Sequence, residues 1–172
     1  MKLNNYDRRN YTVTPYNLGW QKLFQEKVQQ IKSVFGDVKI EHIGSTAVEG
    51  MYGKPCIDIL VLLENLDIVK AKVSDMESLG YIYAGAFVMK DALLFREMKN
   101  DEVFANIHFF PLNHPHVKEM LGLRDYLRSH KEEVEMYSLL KKNLYNKYSK
   151  DYANYRKEKD EYMDALKKRA IK

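Results

Sequence analysis

The chain has 172 residues, a formal net charge of +4 and a composition that is 45% hydrophobic and 30% charged, which excludes a disordered or fibrous protein and predicts a soluble globular fold. The longest uninterrupted apolar run, 59–63, is far shorter than the roughly 20 residues that cross a membrane, and residues 1–10 contain no apolar signal core. We therefore expect a cytoplasmic protein with no membrane partner. The single cysteine, Cys56, excludes an internal disulfide and matches no zinc-binding spacing.

The surplus of positive charge lies near the carboxyl end of the chain. Residues 131–172 hold 12 Lys and Arg against 8 Asp and Glu, whereas residues 1–130 hold 16 of each kind. Such a surface suits a phosphate-bearing small molecule or a nucleic-acid strand. A solvated helix face explains the same pattern, so charge alone leaves nucleic acid a weakly supported partner, and no pattern predicts the oligomeric state.

Helix and strand patterns alternate through the first half of the chain. Segment 14–17 contains residues that cap helices, and apolar residues then recur every three or four positions until Gly36, which predicts a helix. The β-branched segment 38–43 and the almost wholly apolar segment 56–63 predict strands, the second of them buried on both faces. Residues 65–79 repeat the helical pattern.

The second half of the chain predicts three more strands and then helices only. The strands are 81–84, 92–98 and 103–110, and the helices are 116–129, 131–148 and 151–171. This order predicts an α+β fold, a mixed β-sheet with packed helices followed by a C-terminal helical subdomain. We expect the core in residues 1–115 and the helical subdomain in residues 116–172.

The segment HIGSTAVEG, residues 42–50, has the features of an anion site. A strand that ends in Gly44-Ser45, with a short helix after it, presents backbone N–H groups to a phosphate. The side chains of Ser45 and Thr46 add hydroxyl groups to these donors. The hypothesis is that this turn binds phosphate, although Gly-Ser turns are also common structural features.

Asp58 interrupts the apolar segment CIDILVLL. A buried, ionised carboxylate costs several kcal/mol unless it meets a cation or strong donors. Two partners account for it. Lys54, four residues earlier, would pair with it structurally, whereas Mg²⁺ would make it part of a phosphate site, because Mg²⁺ prefers hard oxygen ligands.

Several segments together resemble the GrpB family. They are HIGSTAVEG followed by KPCIDILV, VTPYN with Trp20, NIHFFPLNHP, and RDYLRSH followed by spaced Tyr and Lys residues. The resemblance extends over residues 13–170. It implies the nucleotidyltransferase-like superfold, in which a Gly-Ser turn holds a triphosphate and acidic residues on the following strands bind metal.

Carried onto this sequence, the resemblance makes Gly44 and Ser45 the Gly-Ser turn and Asp58 the first metal-binding acid. The second acid of the superfold lies two residues further along the strand, on the same side. Here that position is Leu60, which cannot bind Mg²⁺. Two-metal chemistry of the usual kind is therefore in doubt.

Three residues could replace the missing acid. Glu41 is a candidate metal ligand, and His42 is a candidate base, although only one of these neighbours on a strand can face the site. His108, in the predicted strand 103–110, is suited to proton transfer or metal binding. The alternative for His108 is a core histidine that donates to a backbone carbonyl.

Basic side chains on the predicted helices form a second set of candidates. Lys141 and Lys159 match positions that the resemblance favours, and each lies four residues after a Tyr. They would face the sheet and hold phosphate oxygens, with Arg124 behind them, whereas an ordinary helical Lys lies in solvent. Lys54 would also offset the charge of the phosphates in this arrangement. Arg96 is a further candidate for phosphate binding.

The leading hypothesis is a nucleotidyltransferase-like protein that binds a nucleoside triphosphate with Mg²⁺ between sheet and helices. In an active enzyme, Asp58 holds the metal, and His42 or His108 deprotonates the hydroxyl of an unknown acceptor. The first alternative is a non-catalytic module that binds a nucleotide or another phosphorylated metabolite. The second is an interaction protein that uses its basic helical tail on RNA or on a protein.

Overall fold

A computed structural model describes residues 11–87 and 89–171 of the chain. The expectation that residues 1–10 contain no signal segment lies outside the described residues. The helices are α1 (Gly19–Phe35), α2 (Asp67–Ala71), α3 (Val73–Ser78), α4 (Pro115–Ser129), α5 (Lys131–Lys147) and α6 (Tyr152–Ala170). The strands are β1 (Lys39–Ile43), β2 (Ile57–Leu63), β3 (Ile82–Gly85), β4 (Leu93–Lys99) and β5 (Glu102–Pro111).

The predicted fold class is confirmed, and one predicted element is wrong in detail. The five strands form one mixed sheet in the order β1-β2-β5-β4-β3. The predicted helix 65–79 is two short helices, α2 and α3, which meet at Lys72. The N–H group of Lys72 donates to Val69, three residues back, and this tighter turn ends α2. Val69 and Met76 both lie in the core on either side of the break.

The register of the sheet decides which side chains share a face. Strand β2 pairs antiparallel with β1 and parallel with β5, and β5 pairs antiparallel with β4. Residues that pair directly on neighbouring strands point to the same face. Asp58, Asn106 and Arg96 are paired in this way across β2, β5 and β4, so they form one row on one face of the sheet.

The opposite face of the sheet is buried against α1, α2 and α3. Trp20, Phe24 and Ile31 of α1 pack there on alternate residues of β2, β4 and β5. The predicted apolar stripe of the first helix is therefore the stripe that covers the sheet. This packing explains why β2 is apolar on this face without interruption, and it leaves the face that carries Asp58 for other elements to cover.

The three C-terminal helices cover only part of the face that carries Asp58. Val117 of α4 packs on Leu60, Leu62 and Phe110 near one end of the strands. The helices α5 and α6 pack on one another and on the segment that joins β1 to β2, through contacts that include Met51. Within the described residues, no helix is long and apolar enough to span a membrane. A gap remains between the sheet and α5 and α6.

Candidate functional site

The gap between the sheet and the last two helices is a cavity of about 650 Å³. Its sheet side is the row of Asp58, Asn106 and Arg96, and its helix side includes Lys141 and Lys159. The cavity brings together eight of the predicted site residues, which are Gly44, Ser45, Lys54, Asp58, Arg96, His108, Lys141 and Lys159. The other four, Glu41, His42, Thr46 and Arg124, are not among the residues that line it.

The turn after β1 brings Ser45 to the cavity through two close backbone approaches. Gly44 has a φ angle of +73°, which favours glycine, and a Cβ atom there would lie 2.6 Å from Oδ2 of Asp58. A Cβ atom on Gly53 would lie 2.6 Å from the Cβ atom of Ser45. A side chain at either glycine would therefore displace the turn or the carboxylate. Ser45 then begins a short 3₁₀ helix, Ser45–Ala47.

His42 and Thr46 support this turn from the other side of the sheet. The ring of His42 stacks on Phe24, with ring centroids 4.6 Å apart, and its Nε2 atom hydrogen-bonds to the hydroxyl of Thr46 over 2.9 Å. In the β1–β2 register, His42 pairs with Ile59, so it lies on the face opposite to Asp58. Burial lowers the pKa of His42 to about 4, which keeps the imidazole neutral at physiological pH.

The structure therefore gives no support to the predicted catalytic role of His42 or to the predicted phosphate contact of Thr46. Of the neighbours Glu41 and His42, Glu41 lies on the same face of the sheet as Asp58, although it does not line the cavity. The carboxylate of Glu41 is nevertheless held by Arg124, whose Nη1 atom lies 2.8 Å from its Oε2 atom. Arg124 also binds Asp125 and the carbonyl of His42, so it joins α4 to β1.

Asp58 has polar neighbours on the sheet. Its Oδ1 atom accepts a hydrogen bond of 2.8 Å from the Asn106 amide, and Nε2 of His108 lies 3.8 Å from the same oxygen. Burial raises the pKa of Asp58, but His108, Asn106 and the charge of Lys54 outweigh burial, so the pKa lies below its ordinary value. The carboxylate is thus ionised at neutral pH, and its side chain remains 31% exposed towards the cavity.

The position to which the resemblance assigns a second metal-binding acid is occupied by a core residue. Leu60 is 0% exposed and packs with Ile43, Leu62 and Val117. Within residues 11–87 and 89–171, no three His, Cys, Asp or Glu side chains form a group that could hold a metal ion. The residues therefore do not fit a two-metal centre. A single Mg²⁺ ion at Asp58 would need no second carboxylate, because phosphates and water can supply its other ligands.

Lys141 is the most unusual side chain of the cavity. It is 2% exposed, and its Nζ atom donates to the Ser45 hydroxyl over 2.8 Å and to the Tyr52 carbonyl over 2.5 Å. The same atom lies 4.1 Å from the centre of the Tyr137 ring. None of these partners is a carboxylate. Burial, with the charges of Lys159 and Lys54, holds the pKa of Lys141 well below its ordinary value.

Positive side chains outnumber carboxylates on the cavity wall. Lys54 donates to the Tyr152 hydroxyl over 2.6 Å, and Lys159 contacts Asp160 over 2.5 Å. The charged residues that line the cavity are Lys54, Arg96, Lys141, Arg156 and Lys159 against Asp58, Glu102 and Asp160. Even without a charge on Lys141, four positive groups face three carboxylates, so the wall has an excess of positive charge, and such a concave surface attracts anions.

Sequence reasoning missed Asn106, Tyr152 and Arg156. Asn106 lies two residues before His108 on β5, so the alternation of side chains along a strand places both on the same face. The spacing of two residues from His108 is therefore enough to predict that Asn106 faces the site. Tyr152 and Arg156, by contrast, follow the spacing of an ordinary amphipathic helix, and only the packing of α6 shows that they line the cavity.

Comparison with solved structures places this fold among two groups. The GrpB protein from Enterococcus faecalis has a TM-score of 0.87 with 29% identity, over 92% of this chain and 96% of that chain. The Cid1 poly(U) polymerase in its MgGTP-bound form has a TM-score of 0.55 with 16% identity. Terminal uridylyl transferase 4 from Trypanosoma brucei, with bound dUTP, has a TM-score of 0.53 with 12% identity. Each of these two covers 77% of this chain. At these identities the two transferases show the fold alone.

Related sequences point to one family. The glutamate-rich protein GrpB of Alkalihalophilus pseudofirmus is 31% identical, over 90% of this chain and 92% of its own length. The UPF0157 protein YqkA of Bacillus subtilis is 29% identical over 96% of this chain, which spans only 48% of YqkA. The family model for the GrpB protein matches residues 10–169. This chain therefore belongs to the GrpB family.

Proposed function

We propose that this protein binds the phosphate groups of a nucleoside triphosphate in the cavity between its sheet and its last two helices. The observation that supports this proposal most strongly is Lys141, a buried amine whose described partners are a hydroxyl, a carbonyl and an aromatic ring. A buried ammonium group without a carboxylate is unfavourable by several kcal/mol. A phosphate beside it would supply the missing negative charge.

The surroundings of Lys141 are suited to a chain of phosphates. The hydroxyl of Ser45 is already within hydrogen-bond distance of its amine, and Lys54 and Lys159 line the same cavity. Charge-assisted hydrogen bonds from ammonium groups to phosphate oxygens are roughly twice as strong as neutral ones. Three lysines and a hydroxyl can therefore hold several phosphate oxygens without help from the solvent.

In this proposal Mg²⁺ binds with the nucleotide. Asp58 would hold the ion, and the ion would offset part of the charge of the phosphates. The Asn106 amide occupies one lone pair of Oδ1 of Asp58 and thereby orients the carboxylate towards the cavity. The neighbouring His108 is suited to accept a proton from a hydroxyl group of an acceptor, if the bound nucleotide reacts.

Binding is the better supported function, and transfer of a nucleotidyl group is the second candidate. Transfer is favoured by the likeness of the fold to Cid1 and to terminal uridylyl transferase 4. Binding without transfer is favoured by Leu60, because a buried leucine stands where a second carboxylate would hold the second ion of a two-metal reaction. Release of pyrophosphate from a bound triphosphate separates the two candidates.

Isothermal titration calorimetry with ATP, GTP, CTP and UTP, with and without Mg²⁺, tests the proposal. We expect at least one nucleotide to bind, and we expect Lys141→Met to weaken that binding at least about tenfold, or about 1.4 kcal/mol. The matched control is Lys142→Met, because Lys142 is the exposed neighbour on the same helix. Pyrophosphate release is measured on the same samples.

Two outcomes would contradict the proposal. The first is the absence of binding for all four nucleotides while the protein is folded. The second is an equal loss of affinity in Lys141→Met and Lys142→Met. The alternative is that the protein binds RNA through its basic C-terminal helices. RNA binding that weakens steeply with added salt and is unaffected by Lys141→Met would support that alternative.

A further inference from the structure

A hydroxyl group and a buried amine are in hydrogen-bond contact on the wall of the cavity. The Ser45 hydroxyl lies 2.8 Å from Nζ of Lys141, and both residues line the cavity. Within residues 11–87 and 89–171, this amine is the only hydrogen-bond partner of the Ser45 side chain. A serine within hydrogen-bond reach of a base is the pattern of an activated nucleophile.

The surroundings of the Lys141 amine are those of a base. An amine accepts a proton only in its neutral form, and burial with the charges of Lys54 and Lys159 lowers the pKa of Lys141. A neutral amine has two N–H groups and one lone pair. When one N–H group donates to the Tyr52 carbonyl over 2.5 Å, the lone pair can face the Ser45 hydroxyl. The carbonyl thus orients the base, as the third member of a catalytic triad does.

Glycine residues leave room beside both atoms of this pair. The positive φ angle of Gly44 turns the chain at the end of β1, and Ser45 follows with its side chain at the cavity. A Cβ atom on Gly53 would lie 3.2 Å from Oγ of Ser45 and 3.9 Å from Nζ of Lys141. The absence of a side chain at Gly53 therefore keeps space where a reacting group would meet the hydroxyl and the amine.

We propose that Ser45 and Lys141 form a nucleophile–base pair that hydrolyses a carboxylic ester in the cavity of the phosphate-free protein. Oγ of Ser45 gives its proton to Nζ of Lys141 and forms a bond to the carbonyl carbon of the ester. The bond from that carbon to the leaving oxygen breaks, and the leaving oxygen takes the proton from Lys141. Water, deprotonated by the same amine, then attacks the acyl-serine, which releases the carboxylic acid and restores the hydroxyl.

The charge of the cavity wall indicates which esters fit. Positive side chains outnumber carboxylates there even without Lys141. An ester that carries a negative charge away from its carbonyl group is therefore attracted to the cavity. This inference goes beyond the proposed function and does not depend on it. A phosphate beside Lys141 would favour the ammonium form, which cannot accept a proton, so the pair acts only when the phosphate site is empty.

Hydrolysis of two chromogenic esters in phosphate-free buffer tests the pair. The first is 4-acetoxy-3-nitrobenzoate, and the second is 2-nitrophenyl acetate, which lacks the carboxylate. We expect the wild type to hydrolyse both faster than buffer alone does, and the anionic ester faster than the uncharged one. Ser45→Ala and Lys141→Arg should each slow this hydrolysis about a hundredfold. Arginine keeps the positive charge but cannot accept a proton, so Lys141→Arg separates a base from an anion-binding group.

The matched control is Ser129→Ala. The Ser129 hydroxyl also lies beside a base, 3.1 Å from Nδ1 of His130, but Ser129 is exposed and does not line the cavity. This variant should keep the wild-type rate. Mass spectrometry of wild-type protein quenched in acid during the reaction then locates the acetyl group, and this measurement does not depend on the folding of any variant.

An acetyl group on the Ser45 hydroxyl is the expected result. An acetyl group on the Lys141 amine instead would show that the amine is itself the nucleophile and would overturn the pair. The wild-type rate in Ser45→Ala or in Lys141→Arg would overturn it too, as would folded wild type that hydrolyses neither ester faster than buffer. Equal rates for the two esters would disprove the preference for a negative charge. Because ATP binding is measured separately, this inference and the proposed function can fail independently.

Discussion

Lys141 illustrates at the residue scale how burial can prepare a group for a ligand. Its amine has two hydrogen-bond acceptors, Ser45 and Tyr52, and neither is charged. The charges of Lys54 and Lys159 disfavour its ammonium form, as burial does. The amine therefore loses its proton at a lower pH than an ordinary lysine. A phosphate bound beside it would have the opposite effect and would favour the ammonium form.

This arrangement predicts that nucleotide binding takes up protons. In the free protein the pKa of Lys141 lies well below 10.5, and we expect it to rise when phosphate binds. At a pH between the pKa of the free state and the pKa of the bound state, only the bound state carries the proton. The affinity for ATP should therefore fall as the pH rises from the first of these pKa values to the second. Calorimetry in two buffers with different ionisation enthalpies, at about pH 8, above the ordinary histidine pKa of about 6.5, measures the uptake.

The expected result is an uptake of up to one proton for each ATP bound by the wild type and by Lys142→Met. The residues that also line this cavity and carry charge or titrate are Tyr11, Lys54, Cys56, Asp58, Arg96, Glu102, His108, Tyr137, Tyr152, Tyr155, Arg156, Lys159 and Asp160. A comparison of the two buffers that shows no uptake, with ATP binding intact, would mean that Lys141 has the same charge in both states.

At the scale of elements, the backbone of the turn between β1 and the 3₁₀ helix lies close against the carboxylate of Asp58. Gly44 has φ +73° and ψ −170°, and Gly36 at the end of α1 has φ +75° and ψ −150°. The two backbones are nearly alike. A Cβ atom at Gly44 would meet Asp58, whereas a Cβ atom at Gly36 would meet nothing within 4 Å. This pair of glycines separates backbone strain from contact with the site.

Alanine at each glycine gives the corresponding prediction. Gly36→Ala should reduce the free energy of unfolding by about 1–3 kcal/mol through backbone strain and should leave ATP affinity unchanged. Gly44→Ala should reduce it further and should also weaken ATP binding, because Asp58 must move. Thermal unfolding and calorimetry on both variants measure these effects. Equal loss of stability, with full ATP affinity in Gly44→Ala, would show that the close approach to Asp58 has no role.

Patterns along the chain predict elements well because each follows from local chemistry. The apolar stripe of α1 predicts which side of the helix is buried, and the continuous apolar run of β2 predicts that both faces of the strand are covered. The division of the predicted helix 65–79 at Lys72 was not predictable, because it depends on how α2 and α3 pack on the sheet. Helical spacing places Lys141 on the same face of α5 as Val134, Tyr137 and Leu144, but only the packing of α5 against the turn shows that the amine itself is buried.

Part of the candidate site was predictable from the sequence, namely the part that depends on which face of a strand a residue occupies. The alternation of strand residues places Asp58 and Leu60 on one face, so the missing second acid was visible from the sequence. Alternation could not decide whether Glu41 or His42 shares the face of Asp58, because that depends on which face of β1 the helix α1 covers. Asn106 is predictable in the same way, because it lies two residues before His108 and therefore on the same face of β5.

At the scale of the whole molecule, the cavity exists because two distant parts of the chain close on one another. Thr14 pairs with Gly53 in an isolated bridge, and Gly53 in turn contacts Ser45. On the other side, Tyr11 contacts Tyr152 and Tyr155 of α6, with ring centroids 5.0 and 4.9 Å apart. Residues 11–14 thus connect the last helix to the segment that joins β1 to β2, and Lys141 and Lys159 line the same cavity as Asp58.

A crystal structure of the protein with bound ATP would show where the phosphate groups lie. We expect phosphate oxygens about 2.7–3.2 Å from the Ser45 hydroxyl and from the amine of Lys141, with Lys159 on the same phosphate chain. Phosphates bound instead on the outer surface of α6, with the Ser45–Lys141 hydrogen bond unchanged, would contradict this expectation.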